Sequence, residues 1–449
     1  MSNTLENHCI IPATMPNNIA AADHPPTVHQ LLTDVLFAPL RTILATADIS
    51  RKCICLDDIT FAILSVMRCL QNSKTGRDFL QTHAIPEIPK LTRGNYFASL
   101  KSPRRLAMMH NLARLLRTNH LPALRSHDDR LSTFPELNDW EIWAGDGHFM
   151  EHATHDTRNE KDQYAPVGAI YKLDTRTGWA EFLAPIQPTA RGTEHEITTL
   201  KRQPSEDLRC GATKGKHTLM TYDSAVIDFL YAYNLKQSKA ICILTRSKDN
   251  LVPMTVMPRP VDRANPVNAL VISDEILYFN NSPGSWRRIT VKSPDSDEIH
   301  VLLTNEMNLP PGLLGEIYRL RWCIEKAFNQ QEQKLDERKA WAKSQTAKAI
   351  QAIAICITHN LLHLFKATLK TEEAIEDTKV IDAYRKDLDR REANAEKAGR
   401  LFPKTLYIAL YRPTEMSLQF IRWIRMHLAN RTCYRRSLDA LRPLMTHYL

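Results

Sequence analysis

Three side chains between Tyr318 and Lys334 have types and spacing suited to phosphate chemistry. Tyr318, Arg321 and Glu325 follow one another at steps of three and four residues. On an α-helix those steps put all three on one face. Leu320, Ile324, Ala327 and Phe328 supply an apolar face beside it. A carboxylate can hold a metal ion, and an arginine can grip a phosphate through two parallel hydrogen bonds. An ordinary amphipathic helix with an Arg–Glu pair has the same pattern, so residues elsewhere must decide. Asp146 and Asp223 each follow a stretch that reads as a strand. Two strand-end aspartates and a helix glutamate can converge on two divalent ions. Two such ions, about 3.5–4 Å apart, stabilise the attacking and leaving oxygens of a phosphodiester displacement. Mg²⁺ is the natural hard cation for a few carboxylates and several waters, with Mn²⁺ as a substitute.

The elements that must position these residues form an α/β pattern. Glu141 to Ala144 reads as a short strand, with Asp146 just past its end. Ala165–Lys172 and Trp179–Pro185 form a predicted hairpin around the turn at 174–178. His217–Tyr222 is a fourth strand leading into Asp223, Ser224–Tyr233 a helix, and Ala240–Thr245 a fifth strand. That order is the order of a ribonuclease-H-like domain, completed by a late helix carrying a third acid. Between Arg246 and Pro311, short β-like runs (252–257, 269–272, 276–279, 288–291, 299–303) are punctuated by prolines and read as a β-rich insertion. A helix over 346–368 follows the Tyr318–Lys334 stretch.

The resulting division is a loose N-terminal arm over 1–26, a helical region over 27–130 and a first part of the α/β core over 140–246. The insertion occupies 247–311, core helices 312–370, and a basic helical tail 371–449. In the N-terminal region, Ile59–Leu70 reads as a buried helix preceded by Asp57 and Asp58 as capping acids. Arg104–Arg117 reads as a helix carrying Arg104, Arg105, Arg114 and Arg117, suited either to DNA contact or to a solvated face. His127–Asn138 reads as a linker. The tail has basic clusters at 422–425 and 431–436.

The chain of 449 residues is 43% hydrophobic, enough for a substantial core and two or three domains. A net charge of +9 and a pI near 9.0 favour a polyanionic partner. The nine cysteines are scattered, with only Cys53 and Cys55 close together. This disfavours a zinc module or a secreted disulfide scaffold and fits a reducing compartment. The N-terminus lacks a basic start followed by an apolar run, so no signal peptide is read. The apolar stretch Ala352–Leu364 contains His359, Asn360 and His363 and reads as too short and too polar to span a bilayer. The expectation is a cytoplasmic protein without a membrane partner.

The chain resembles the insertion-sequence-4 superfamily of DDE transposases over residues 140–370. The family signature runs Tyr, two residues, Arg, three residues, Glu, six residues, Lys. Tyr318, Arg321 and Glu325 match its first three positions. Leu302–Asn305 (LLTN), Trp322 and Thr245–Asn250 (TRSKDN) are also typical, as are Asp146 in AGDGH and Asp223 in TYDSAVIDF. The resemblance implies cut-and-paste transposition: hydrolysis at the element's ends, then attack of the freed 3′-hydroxyl on target DNA, with a hairpin step in some members. It implies two Mg²⁺ ions on Asp146, Asp223 and Glu325, and double-stranded DNA carrying terminal inverted repeats as partner. It also implies a homodimer on DNA and association with the bacterial nucleoid when bound. Tyr318, Arg321, Arg246, Lys248 and Lys334 would contact DNA phosphate, and Trp286 is either a small-core or surface tryptophan or a ring that stacks on a flipped base. One position departs from the signature. Glu332 stands where the lysine is expected, with Lys326, Lys334 and Lys339 nearby.

Two other readings compete. His148, His152 and His155 beside Asp146 and Asp156 suggest a zinc-dependent hydrolase. However, HFMEH places its glutamate next to the second histidine, unlike HExxH. Glu332 motivates the other, a transposase-derived DNA-binding protein without catalysis.

Overall fold

A computed structural model describes residues 30–47, 55–71, 75–84, 91–158, 162, 164, 167–189, 192–209, 216–280, 282–335, 339–410 and 416–445. The expected arm over 1–26 and Cys53 lie outside the described residues. Among the described residues, no disulfide joins any two of Cys55, Cys69, Cys242, Cys323, Cys356 and Cys433.

The frame is a nine-stranded sheet. Its strands are β1 (Trp140–Met150), β2 (Val167–Asp174), β3 (Ala180–Ile186), β4 (His217–Thr221), β5 (Ile241–Arg246), β6 (Thr255–Pro258), β7 (Val271–Tyr278), β8 (Trp286–Lys292) and β9 (Ile299–Thr304). Their spatial order is β3-β2-β1-β4-β5-β9-β8-β7-β6. β1, β2 and β3 are antiparallel neighbours, whereas β1, β4 and β5 run parallel. The proline-punctuated segment supplies β6, β7, β8 and β9 of this same sheet. β9 pairs antiparallel with β5 and carries the sheet onward. The runs expected at 269–272 and 276–279 are one strand, β7, because Ser273, Asp274 and Glu275 keep the ladder with β8 through Thr290, Ile289 and Arg288. Asp274 is no breaker here, since Arg287 binds it through two nitrogens at 2.8 Å inside the protein.

Eight helices matter for the site: α1 (Asp58–Leu70), α2 (Pro103–Asp128), α3 (Glu196–Lys201), α4 (Phe229–Lys239), α5 (Pro311–Leu320), α6 (Trp322–Lys334), α7 (Gln345–Glu373) and α8 (Leu418–Ala429). Asp57 caps α1 by accepting from the Thr60 amide at 2.7 Å. Strand alternation sorts the sheet's residues between two faces. Ile142, Leu219, Leu244 and Leu302 pack against Leu313, Leu314 and Ile317 of α5. Trp143, Met220, Ile243 and Leu303 join a larger core built with α1, α2, α4, α7 and α8. N- and C-terminal helices thus share one core with the sheet.

α2 runs past the expected end at Arg117, through Pro122, and takes in the start of the expected linker. Its last turns are held by buried Leu121 and Leu124 and by Arg125. Arg125 binds Glu141 at 2.6 and 2.9 Å and Asp174 at 2.9 Å, fastening the helix to β1 and β2. The arginines nearer its start are also largely committed within the protein. Arg104 holds Asp58 through two bonds of 2.7 Å, Arg105 donates to the Leu56 carbonyl, and Arg117 holds Glu181 at 2.9 Å. Arg114 remains exposed.

α7 is longer than the predicted 346–368. Ser344 caps it by accepting from the Ala347 amide, and Ala374 ends it in the left-handed region at φ 51°. By length and composition it could cross a membrane, contrary to the sequence expectation, yet its apolar stretch is mostly buried inside the protein. Its polar residues have interior tasks. Asn360 accepts from the Ala180 amide and donates to the Ala180 carbonyl, both at 2.8 Å, closing the first backbone pair of β3. His359 Nε2 lies 2.9 Å from the Gly178 carbonyl, which fixes the proton on that nitrogen.

Candidate active site

The parallel ladder between β1 and β4 ends at the Ala144–Thr221 rung. Two residues beyond it on either strand stand Asp146 and Asp223. Asp146 is not past the end of its strand, as the sequence suggested. It continues in β1, paired with Tyr171 of β2. Only its β4 side is open, and there the sheet offers a gap at the carboxyl ends of parallel strands, a common place for ligands. Asp223 leaves β4 as the cap of a short 3₁₀ turn, its side chain accepting from the Ala225 amide at 2.7 Å. Its carbonyl accepts from the Thr245 hydroxyl at 2.6 Å, tying it to β5.

Glu325 arrives on the first turn of α6. Tyr318, Arg321 and Glu325 do not share one unbroken helix, because the chain is interrupted at Arg321 between α5 and α6. The bonds there tighten to i→i−3: Arg321 N to Tyr318 O at 3.0 Å and Ile324 N to Arg321 O at 2.9 Å. α6 is seated by Ile324, Ala327 and Phe328, which pack on Ala144 and Tyr171. Phe328 also stacks on His148 with ring centroids 4.5 Å apart.

Arg321 joins the acids. Its Nη2 donates to Glu325 at 2.8 Å and its Nη1 to Asp146 at 3.4 Å. Its guanidinium lies 5.7 Å from the Tyr318 ring. Burial pushes Asp146 up to about 6; Arg321 opposes this, while the charges of Asp223 and Glu325 add to it. The charges of Asp223 and Glu325 thus reach Asp146, and a guanidinium holds Asp146 and Glu325. Among the described residues, no three acids, histidines or cysteines stand as close together as one ion requires. Glu325 faces Arg321 instead.

Sequence reasoning missed Glu196. It opens α3 and is half-buried. Burial, then the charges of Asp146 and Asp223, push it up to about 7. The signal available in the sequence was the pair of glycines around Asp146. A Cβ on Gly145 would lie 2.2 Å from the Tyr222 ring, and one on Gly147 would lie 2.2 Å from Glu196 Oε1.

Other expected site residues fall in different places. Arg246 is exposed and pairs with Glu298 at 3.4 Å. It lines a cleft of about 320 Å³ together with Tyr318, Arg321 and Trp322. Lys248 is exposed in the loop after β5. Lys334 donates to the Met416 carbonyl at 2.7 Å, toward the C-terminal helices. Trp286 is no open stacking platform. It is 3% exposed, edge-on to Phe229, and its Nε1 donates to Ser282 Oγ at 3.1 Å. The aromatic on the rim is Trp322, 59% exposed. Glu332 lies 3.5 Å from His148 Nε2. Among the described residues, the histidine cluster of the competing hydrolase reading does not assemble: His148 lies on Phe328, and His152 stacks on Tyr164 with centroids 3.5 Å apart.

Residues 144–361 match the family described as "Transposase DDE domain". This segment, just under half of the chain, is similar to a transposase DDE domain. The match opens two residues before Asp146 and runs into α7, so Asp146, Glu196, Asp223, Tyr318, Arg321 and Glu325 all fall within it. A Sinorhizobium fredii (strain NBRC 101917 / NGR234) protein named "Putative transposase y4zB" is 28% identical over 165 residues, 35% of this chain and 46% of that protein. The similarity thus spans about half the length of this curated relative.

Proposed function

We propose that the protein is a DNA transposase of the insertion-sequence-4 type. In this reading it cuts phosphodiester bonds at the ends of a mobile element and transfers the freed ends to target DNA. The observation that carries the reading is Arg321 bonded to both Asp146 and Glu325, with the charge of Asp223 reaching Asp146, inside the matched segment. The β3-β2-β1-β4-β5 order, antiparallel then parallel, supports a ribonuclease-H-like core beneath it.

The donors are all carboxylate oxygens, which suit Mg²⁺ or Mn²⁺ in kind. Asp146, Asp223 and Glu325 would hold the ions. When bound, the ions would polarise the phosphate and stabilise the attacking and leaving oxygens. The protein's own groups do the rest. Arg321 supplies a fork of donors for a phosphate that is not being transferred. Tyr318 lines the same cleft, and Arg246 adds positive charge at its wall. Trp322 offers an exposed ring on the rim for an unstacked base. Two protomers on paired DNA ends complete the reading.

The test is end cleavage. Full-length protein is incubated with Mg²⁺ and the DNA flanking its own gene, and the products are mapped on denaturing gels. Nicks at inverted repeats that disappear with Glu325→Gln support the proposal. Binding without nicks favours the inert DNA-binding reading. Undiminished cleavage by the Gln variant overturns the site.

A further inference from the structure

The geometry points to Glu196 as a fourth carboxylate of the cation site, admitted to it by the missing side chain at Gly147. The inference rests on the functional reading above and adds a ligand to it.

Clearance comes first. Any side chain at position 147 would put its Cβ 2.2 Å from Glu196 Oε1 and 2.9 Å from its carboxyl carbon. Gly147 therefore does not serve a turn. It lies inside β1, where glycine weakens a strand but permits close approach. What approaches is the Glu196 carboxylate. The Gly147 amide donates to Asp146 Oδ1 at 2.9 Å and also faces Glu196, so the two acids flank one N–H group. By alternation Gly147 presents the face opposite Asp146. Glu196 thus reaches the open strand end from the side that α6 does not cover.

Position comes second. α3 packs on β3 and on the turn that follows Asp223. Thr199 and Leu200 of α3 are buried, and the Tyr231 hydroxyl of α4 donates to the Leu200 carbonyl at 3.2 Å. Glu196 is therefore held against the site by packed structure.

Charge comes third. Neighbouring Glu194 has its cation, Arg202. Among the described residues, no lysine, arginine or histidine pairs with Glu196; its charged surroundings are Asp146, Asp223 and, opposing them, Arg321. A half-buried acid turned toward two other acids calls for added positive charge. A hard divalent cation shared with Asp146 and Asp223 supplies it.

The test reads metal binding without DNA. Mn²⁺ is titrated into the full-length protein, and free ion is followed by electron paramagnetic resonance. Glu196→Gln is expected to weaken binding about tenfold, with Glu196→Asp weakened less. Gly147→Ala, which displaces the carboxylate without removing it, should mimic Glu196→Gln. Glu206→Gln, on the exposed side of the next helix, should bind like the parent. Thermal melts establish that each variant is folded. If Glu196→Gln and Gly147→Ala bind Mn²⁺ like the parent while Asp146→Asn and Asp223→Asn lose it, the fourth ligand is refuted and the three-acid site stands. If Asp146→Asn also binds like the parent, both fall.

Discussion

Asp146 and Asp223 occupy equivalent positions, each two residues beyond the Ala144–Thr221 rung that ends the parallel pairing of β1 with β4. Parallel register thus brings together acids far apart in sequence. Asn substitution keeps the shape of either side chain and removes its charge. Asp146→Asn and Asp223→Asn are each expected to lower end cleavage on the order of 10²–10³-fold, the scale for removing one preorganised electrostatic contact. Melting temperatures should stay within a few degrees of the parent. Denaturing gels and thermal melts measure both. Cleavage close to the parent in either variant removes that acid from the site.

The clasp between α2 and the sheet predicts a stability effect separate from chemistry. Arg125 neutralises Glu141 and Asp174, whose side chains are 8% and 0% exposed. Replacing it with Met leaves two buried carboxylates without their cation. Breaking a buried pair in this way costs about 3–5 kcal/mol. Urea unfolding of Arg125→Met should show a loss of that size. Adding Glu141→Gln and Asp174→Asn should restore much of it, because the uncompensated charge is then gone. A loss of stability that the triple variant fails to recover would place Arg125's contribution in packing.

His359 predicts a pH dependence. Burial lowers it to about 4, against the pull of its bond to Gly178. Between about 4 and the ordinary value of 6.5, the unfolded chain binds a proton that the folded chain refuses. Stability therefore falls as pH drops through that window, and above it this contribution to the pH dependence vanishes. His359→Gln retains a donor for the Gly178 carbonyl and cannot titrate. Its melting temperature should decline less than the parent's between pH 6.5 and 4. His363, also lowered by burial and next to His359, adds to the parent's slope and stays in the variant. Equal slopes in parent and variant would exclude His359 as the titrating group.

The sequence was legible where short-range patterns carry the information. The strand–turn–strand at β2 and β3, the run into Asp223 and the Tyr-Arg-Glu spacing all could be read locally. Long-range pairing was not. Nothing near Ile299–Thr304 announces that it joins β5, so the β-rich character of the insertion was readable but its place in the same sheet was not. Arg104, Arg105 and Arg117 could be read only as a DNA-facing row or a solvated face because their acceptors, on α1, the residues before it and β3, lie far away in sequence. Trp286 could be read as a core tryptophan or a stacking ring, because its burial depends on Phe229 of α4. Glu196 has no local motif. Only the fold brings it over Gly147.

Arg321 bridges Asp146 and Glu325, so it is a competitor for any cation between them as well as a ligand for phosphate. The two roles separate by substitution. Arg321→Ala removes a positive charge from between the acids, and divalent-ion affinity in the absence of DNA should rise several-fold. The same variant loses the bidentate donor, so binding of element-end DNA should weaken and cleavage should fall despite the tighter ion. Arg321→Lys keeps the charge but not the planar fork. It should leave ion affinity near the parent's while still impairing cleavage. Mn²⁺ titration and DNA-binding isotherms on the same preparations measure the two effects independently. Weaker ion binding in Arg321→Ala would show that the guanidinium orders Asp146 and Glu325 for the cation, and would overturn its role as competitor.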